Sequence, residues 1–147
     1  GYMAKPFVRD KDAIQIVPLI IKYKNLLYEN NITLKDTLDD IYRTIGHYHS
    51  INLSPVFEGA EGQHKIEEII NSFRNKTIHQ VCGLDVKAIE DYQLGTIENI
   101  ESGEKDATYL PNTNLIRLIF DEGFIAIRPS GTEPKIKIYF SLNVNKI

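Results

Sequence analysis

From Asp12 to Tyr28, apolar residues recur at three- and four-residue steps: Ile16, Leu19, Ile20, Tyr23, Leu26 and Leu27. That period predicts a helix buried along one side, capped by Asp10 or Asp12 and stopped at Asn30-Asn31. Pro18 falls inside the pattern and marks either a first turn or a kink. A second helix is predicted over residues 34 to 45, because Leu34, Leu38, Ile41, Tyr42 and Ile45 keep the spacing. Thr33-Leu34-Lys35-Asp36 approximates a capping box at its start, and Gly46 supplies a stop.

Beyond Gly46 the pattern changes. Residues 48 to 57 mix β-formers with Pro55 and predict an edge strand. Glu61 to Phe73 returns to the helical period, with Ile66, Ile69, Ile70 and Phe73 on one side. Short strands are expected at 77 to 82 and 86 to 93, divided by the turn Cys82-Gly83-Leu84-Asp85, and the polar stretch 95 to 114 reads as a loop. Leu115 to Phe120 and Phe124 to Ile127 are β-prone runs whose connection, Asp121-Glu122-Gly123, suits a three-residue hairpin with a bulge. Ile136 to Phe140 alternates strictly, with Ile136, Ile138 and Phe140 on one face and Lys135, Lys137 and Tyr139 on the other. Two helices followed by hairpin-linked strands make an α+β chain with a seam near residues 46 to 50.

Composition narrows the function classes. With 147 residues, 42% hydrophobic and 25% charged, the chain builds one domain or two small ones. A net charge of -3 provides no overall positive field for nucleic acid or an anionic membrane, so any anion site must be local. The single cysteine, Cys82, excludes an intrachain disulfide and a CxxC zinc site; it reads as a small buried hydrophobe in a protein of a reducing cytoplasm. The longest apolar run, Ile16 to Ile21, contains Pro18 and falls far short of the roughly 20 residues of a membrane span. No signal sequence opens the chain, and a start at Gly1 suggests a segment of something longer.

Several clusters read as ordinary surface. His47-Tyr48-His49 lacks a carboxylate or thiol at ligand spacing, and His64 and His79 stand alone. Asp36, Asp39 and Asp40 suit the solvated face and N-terminal end of a short helix. Glu98, Glu101, Glu104 and Asp106 give no paired acid-base geometry.

RPSGTEPKIKIYF, residues 128 to 140, carries more chemistry. A phosphate monoester presents three acceptor oxygens and a charge of roughly -1.5 to -2, so its site needs converging donors and a cation. Arg128 offers a planar fork, Ser130 and Thr132 offer hydroxyls, Gly131 leaves room for backbone N–H groups, and Lys137 supplies a second cation. Pro129 and Pro134 stiffen both shoulders. A Gly/Pro turn with a solvated arginine and lysines on an edge strand meets the same spacing, and the residues alone leave both readings open.

The same run resembles, almost residue for residue, the phosphate-binding loop in the C-terminal domain of the α-D-phosphohexomutase family, which includes phosphoglucomutase and phosphomannomutase. Asp121-Glu122-Gly123 is similar to the Asp-x-Gly hairpin before that loop, and GYMAKPFVRDKDA resembles the segment after the family's sugar-binding Glu-x-Ser loop. The resemblance implies that residues 1–48 are the helical tail of an α/β third domain. Residues 49–147 are then the C-terminal phosphate-binding domain, a TBP-like antiparallel sheet with packed helices, lacking its closing helix. Arg128, Ser130, Gly131 and Thr132 match the phosphate-loop residues, and Lys137 a basic residue facing the phosphate. In the phosphoglucomutase-like branch the lysine of an Arg-x-Lys-Asp segment approaches substrate, here Lys11, with Arg9 as its neighbour.

The family's serine loop, Asp-x-Asp-x-Asp magnesium motif and Glu-x-Ser-x-Gly are missing from these residues, so no catalytic residue and no metal ligand is expected in the chain. The implied function is part of a cytoplasmic isomerase of carbohydrate metabolism that interconverts hexose 1-phosphate and 6-phosphate through a phosphoserine and a bisphosphate. Such a full-length enzyme uses Mg2+ and a hexose 1,6-bisphosphate, and the isolated chain is expected to be inactive. Its partners are then the phosphosugar and the upstream domains of its own polypeptide, with no nucleic acid or membrane. A noncatalytic module binding a phosphorylated metabolite or a protein is the alternative class, and the phosphopentomutase or phosphomannomutase branch the alternative within the family.

Overall fold

The computed structural model describes residues 2–7 and 10–144, apart from the Ala60 side chain. Its packing divides the chain into two compact units, Gly1–His47 and Tyr48–Ile147.

In the first unit, helix α1 spans Ala13–Tyr28 and begins where the Asp12 carboxylate accepts from the Ile14 N–H at 2.9 Å. Pro18 lies inside α1, and the helix continues past it although one intrahelical donor is lost there. Asn31 adopts a φ of 57°, and the Ile32 N–H then donates to the Leu27 carbonyl at 3.0 Å, which closes the helix end. Helix α2, Leu34–Ile45, carries a complete capping box: Thr33 Oγ1 accepts from the Asp36 N–H at 3.0 Å, and the Asp36 carboxylate accepts from the Thr33 N–H at 2.8 Å. Hydrogen bonds from the Thr33 hydroxyl and then its N–H hold the Asp36 carboxyl below the usual carboxylate range. Asp39 pairs with Lys35 at 2.5 Å and Asp40 with Arg43 at 3.9 Å, so the acids are spent on local helix contacts. Neither helix contains a buried residue, and Ile20, Leu26, Leu38 and Ile41 all lie exposed.

The second unit is a sheet with one helix against it. Strand β1 (Tyr48–Leu53) leads through α3 (Ala60–Arg74) to a small hairpin of β2 (Gln80–Val81) and β3 (Leu84–Asp85). Then follow β4 (Ala88–Asp91), β5 (Thr96–Asn99), β6 (Lys105–Ala107), β7 (Ile116–Phe120), β8 (Gly123–Pro129) and β9 (Ile136–Asn143). Among the described residues, seven strands form one sheet in the order β1-β9-β8-β7-β4-β5-β6, with every pairing antiparallel. The α+β expectation holds, and β1 takes the edge position read from its composition. Alternation along β7 and β8 sends Ile116, Leu118, Phe120, Ile125 and Ile127 to the face where Ile66 and Ile70 of α3 pack. Burying each such side chain contributes about 1.5–3 kcal/mol, which makes this face the centre of stability.

Four expectations change. The polar stretch 95 to 114 is not all loop: β5 and β6 pair within it, with Lys105 reaching Glu98 at 3.3 Å. These outer strands are held by backbone pairing and cross-strand charge, so they lack an apolar period to read. The turn after β2 is the two residues Cys82-Gly83, at φ values of 49° and 86°, rather than four. Cys82 is therefore exposed at a hairpin tip and is not a buried hydrophobe. Finally, Phe120 pairs directly with Gly123, so the β7–β8 turn is the two residues Asp121-Glu122 and Gly123 belongs to the strand. Its φ is 148°, and a Cβ there would lie 2.0 Å from the Ser141 carbonyl oxygen. Close approach of β9, rather than a bulge, explains this glycine.

Gly123→Ala should accordingly cost about 3 kcal/mol in urea unfolding of the chain, since backbone on both strands must move. Amide exchange should divide the molecule in the same way. Protection in α1 and α2 should collapse at much lower free energy than in β7 and β8, where the buried side chains are concentrated.

Candidate functional site

Residues 130 to 135 connect β8 to β9, and the strand register decides what stands at their base. Arg128 pairs directly with Lys137, and Pro129 with Ile136. Opposite residues on antiparallel strands project to the same face with Cβ atoms about 4.5–5.5 Å apart, so the two cations stand side by side. That face is the one opposite Ile127 and Ile138, because side chains alternate along each strand. Neither Arg128 nor Lys137 makes an ion pair among the described residues.

The connection itself is anchored at its shoulders. The Ser130 N–H donates to the Lys135 carbonyl at 2.9 Å, and the Lys135 N–H donates to the Glu133 carbonyl at 2.8 Å. From outside, the Phe57 N–H donates to the Pro134 carbonyl at 2.7 Å and the Ile136 N–H to the Pro55 carbonyl at 3.1 Å. Between these anchors the N–H groups of Gly131, Thr132 and Glu133 make no backbone hydrogen bond among the described residues. Gly131, Thr132 and Glu133 thus present successive amides without a backbone partner among the described residues, one rung away from the Arg128–Lys137 pair. Gly131 has no positive φ, and a Cβ there would meet nothing within 4 Å, so neither backbone strain nor crowding in the fold requires glycine at this position. Lys135 is paired with Glu133 and holds that carboxyl below the usual range, with the charge of Lys137 a smaller contribution. The loop's acid is thereby matched by its own lysine.

The structure thus brings Ser130, Gly131 and Thr132 into one loop and Arg128 and Lys137 into the second rung below it, next to the Pro129–Ile136 rung. Lys11 stands in the helical unit, where its ammonium pairs with Asp10 at 2.6 Å and its side chain borders an apolar surface with Tyr2 and Ile16. Arg9 lies outside the described residues. His47 stacks on Tyr42 with ring centroids 4.1 Å apart, and His49 lies in β1 opposite Leu142.

Sequence reasoning missed a cleft of about 470 Å³ beside the loop. Arg128 to Gly131 line one side of it; Gln63, Glu67, Asn71 and Arg74 of α3, with the apolar Ile66 and Ile70 of the same helix and with Gln93, Thr113 and Asn114, line the rest. The only sequence signal was the spacing of the four α3 residues, which places them along one stripe of the helix. Arg74 Nε donates to Asp91 at 2.8 Å and Arg74 Nη2 to Asn114 at 2.6 Å, a link between residues far apart in sequence that no local pattern announces.

Residues 85–141 match the phosphoglucomutase/phosphomannomutase C-terminal domain, a range that contains the whole loop. A protein named phosphoglucomutase from Staphylococcus saprophyticus is 56% identical over 147 residues, all of this chain and 27% of the relative. Phosphoglucomutases of Staphylococcus epidermidis and Staphylococcus aureus are each 51% identical over 97% of this chain and 26% of their own length. The chain therefore spans about a quarter of the curated relatives it matches. Similarity to phosphoglucomutases thus runs through both units, and residues 85–141 match the C-terminal domain of the phosphoglucomutase/phosphomannomutase family.

Proposed function

We propose that the chain is the phosphate-holding part of a phosphoglucomutase-type phosphohexomutase, a cytoplasmic isomerase that interconverts hexose 1-phosphate and hexose 6-phosphate. The observation that carries this reading is the rung Arg128–Lys137 beneath three unspent amides. Two cations match the charge of a phosphate dianion, and the directional donors match its three oxygens. Ser130 and Thr132 contribute O–H donors, while the open space at Gly131 lets an oxygen reach the backbone.

In such an enzyme the phosphoryl group moves between a serine and the sugar through a bisphosphate intermediate, and the chemistry is mostly positioning and charge stabilisation. The loop's role is to grip the phosphate that is not reacting. Among the described residues no three His, Cys, Asp or Glu side chains gather to hold a metal ion. The magnesium and the serine belong, in this reading, to upstream parts of the full-length protein.

We assign residues 1–48 to the tail of the third domain and 49–147 to the C-terminal domain. Support for the first assignment is the apolar surface of α1 and α2, uncovered within their own unit as expected of helices cut from a larger layer. Lys11 would approach the substrate from that domain, with Arg9 beside it.

Titration of the chain with inorganic phosphate, followed by amide NMR, tests the loop. Shifts should concentrate at 128 to 137 and vanish in Arg128→Ala; an unresponsive loop at tens of millimolar phosphate would remove the proposal. Gly131→Ala should leave unfolding free energy within about 0.5 kcal/mol while weakening phosphate binding several-fold. In a coupled assay with glucose 1-phosphate the chain alone should show no turnover.

A further inference from the structure

The two edges of the seven-stranded sheet are built differently. β6 closes one side with three residues, Lys105–Ala107, of which Lys105 and Asp106 are charged. β1 closes the other with six, Tyr48–Leu53, and its sequence YHSINL holds no Lys, Arg, Asp, Glu or Pro. A sheet edge presents a row of N–H and C=O groups ready to pair with another strand, and short length, charge and proline are the means by which edges are kept from doing so. β6 has the first two protections, whereas β1 has none within its length. All six β1 residues are exposed, and among the described residues β1 pairs with β9 alone.

The side chains decide what fits this edge. His49, Ile51 and Leu53 pair with Leu142, Phe140 and Ile138, so they carry the apolar face that packs on the core out to the margin of the sheet. There Ile51 and Leu53 remain 44% and 48% exposed. A second copy of the same strand is complementary to them. A two-fold axis normal to the sheet runs the two strands antiparallel and keeps each face continuous across the junction. Centred on Ile51, it sets Ile51 against its own counterpart, His49 against Leu53, and Ser50 against Asn52, with the aliphatic groups on the core face and the polar ones on the other. No two carboxylates and no two basic chains of Lys or Arg meet in this register. Centring on Ser50 would leave Leu53 outside the paired stretch, and laying β1 on the β6 edge of another copy would set Lys105 and Asp106 against uncharged side chains.

We infer that β1 is an interface between two copies of this chain, formed by antiparallel pairing of Tyr48–Leu53 strands about Ile51, which joins two seven-stranded sheets into one. The inference does not rest on the phosphate reading of the loop. Residues 49 to 53 of each copy make a small contact beside the roughly 20–30 residues a side of a standard interface, so the pairing depends on concentration.

Sedimentation of the chain between about 10 μM and 1 mM should show a monomer–dimer equilibrium, and amide NMR shifts that follow concentration should fall at 48 to 53. Ile51→Lys and Ile51→Glu each put like charges directly opposite one another at the axis and should each weaken the dimer about tenfold. An unchanged amide spectrum for β7 and β8 checks that the fold is kept; should either variant fail to fold, the concentration-dependent shifts of the unsubstituted chain decide alone. Mixed in equal amounts, the two variants bring opposite charges together and should recover the association. Such a rescue belongs to a register centred on residue 51 and does not arise from association through the exposed apolar residues of α1 or α2. A chain that stays monomeric at about 1 mM, shifts that follow concentration only outside β1, or a dimer undiminished in Ile51→Lys would overturn the interface. Failure of the mixture to associate would overturn the register about Ile51.

Discussion

The register between β8 and β9 places Ile125 across from Phe140 and Ile127 across from Ile138 on the core face, and by the same alternation Arg128 across from Lys137 on the other. A slip of one residue would turn the isoleucines outward and separate the two cations, so the apolar core and the candidate site share one constraint. The register is fixed from both ends. At one end Ile125, Ile127 and Ile136 pack beneath Ile66 and Ile70 of α3. At the other, the Ser141 carbonyl runs so close to Gly123 that only a residue without Cβ fits. The pairing of Arg128 with Lys137 is therefore fixed by packing that lies outside the loop.

Charge is distributed on the same logic. The chain carries a net -3, yet its basic groups in the second unit are mostly engaged: Lys135 with Glu133, Arg74 with Asp91, Arg117 with Glu90 and Lys105 with Glu98. Arg128 and Lys137 differ from these in having no carboxylate at pairing distance among the described residues. An anion approaching the loop therefore meets cations it need not strip from other partners, and finds amides in the same state. Arg117, though on the same sheet face, is spent on Glu90, the Tyr92 hydroxyl and the ring of Phe124, 4.4 Å from its centroid, and acts as packing.

Legibility in the sequence followed the strength of local patterns. The helices were readable because capping and period coincide: Asp12, Thr33 with Asp36, and Gly46 stand where the observed helices begin and end. β7 and β8 were readable as apolar, β-prone runs and β9 as a strict alternation, all three packing against the apolar side of α3. β5 and β6 were not, because outer strands satisfied by backbone pairing and a Glu98–Lys105 contact need no apolar face. The loop's donors were legible as residue types, and the family resemblance chose between a cradle and a turn. What could not be read was the pairing of Arg128 with Lys137 as a spatial fact, and the cleft, whose walls come from α3, the β4–β5 turn and Asn114 and meet only through tertiary contacts.

The two units also differ in what makes their helices helical. α3 is amphipathic against a sheet that buries Ile66 and Ile70 almost completely, and its polar stripe is left over for the cleft. α1 and α2 hold their ends with a side-chain cap and a capping box, worth about 1 kcal/mol each, yet bury none of their leucines and isoleucines within their unit. Local signals of that size specify where a helix starts but cannot supply the burial that stabilises it. In the first unit the capping signals thus stand without burial, whereas in the second unit local signal and burial coincide. That asymmetry explains why the fold and the candidate site can both be argued from Tyr48 onward, while in the first unit Lys11 shows only its pairing with Asp10.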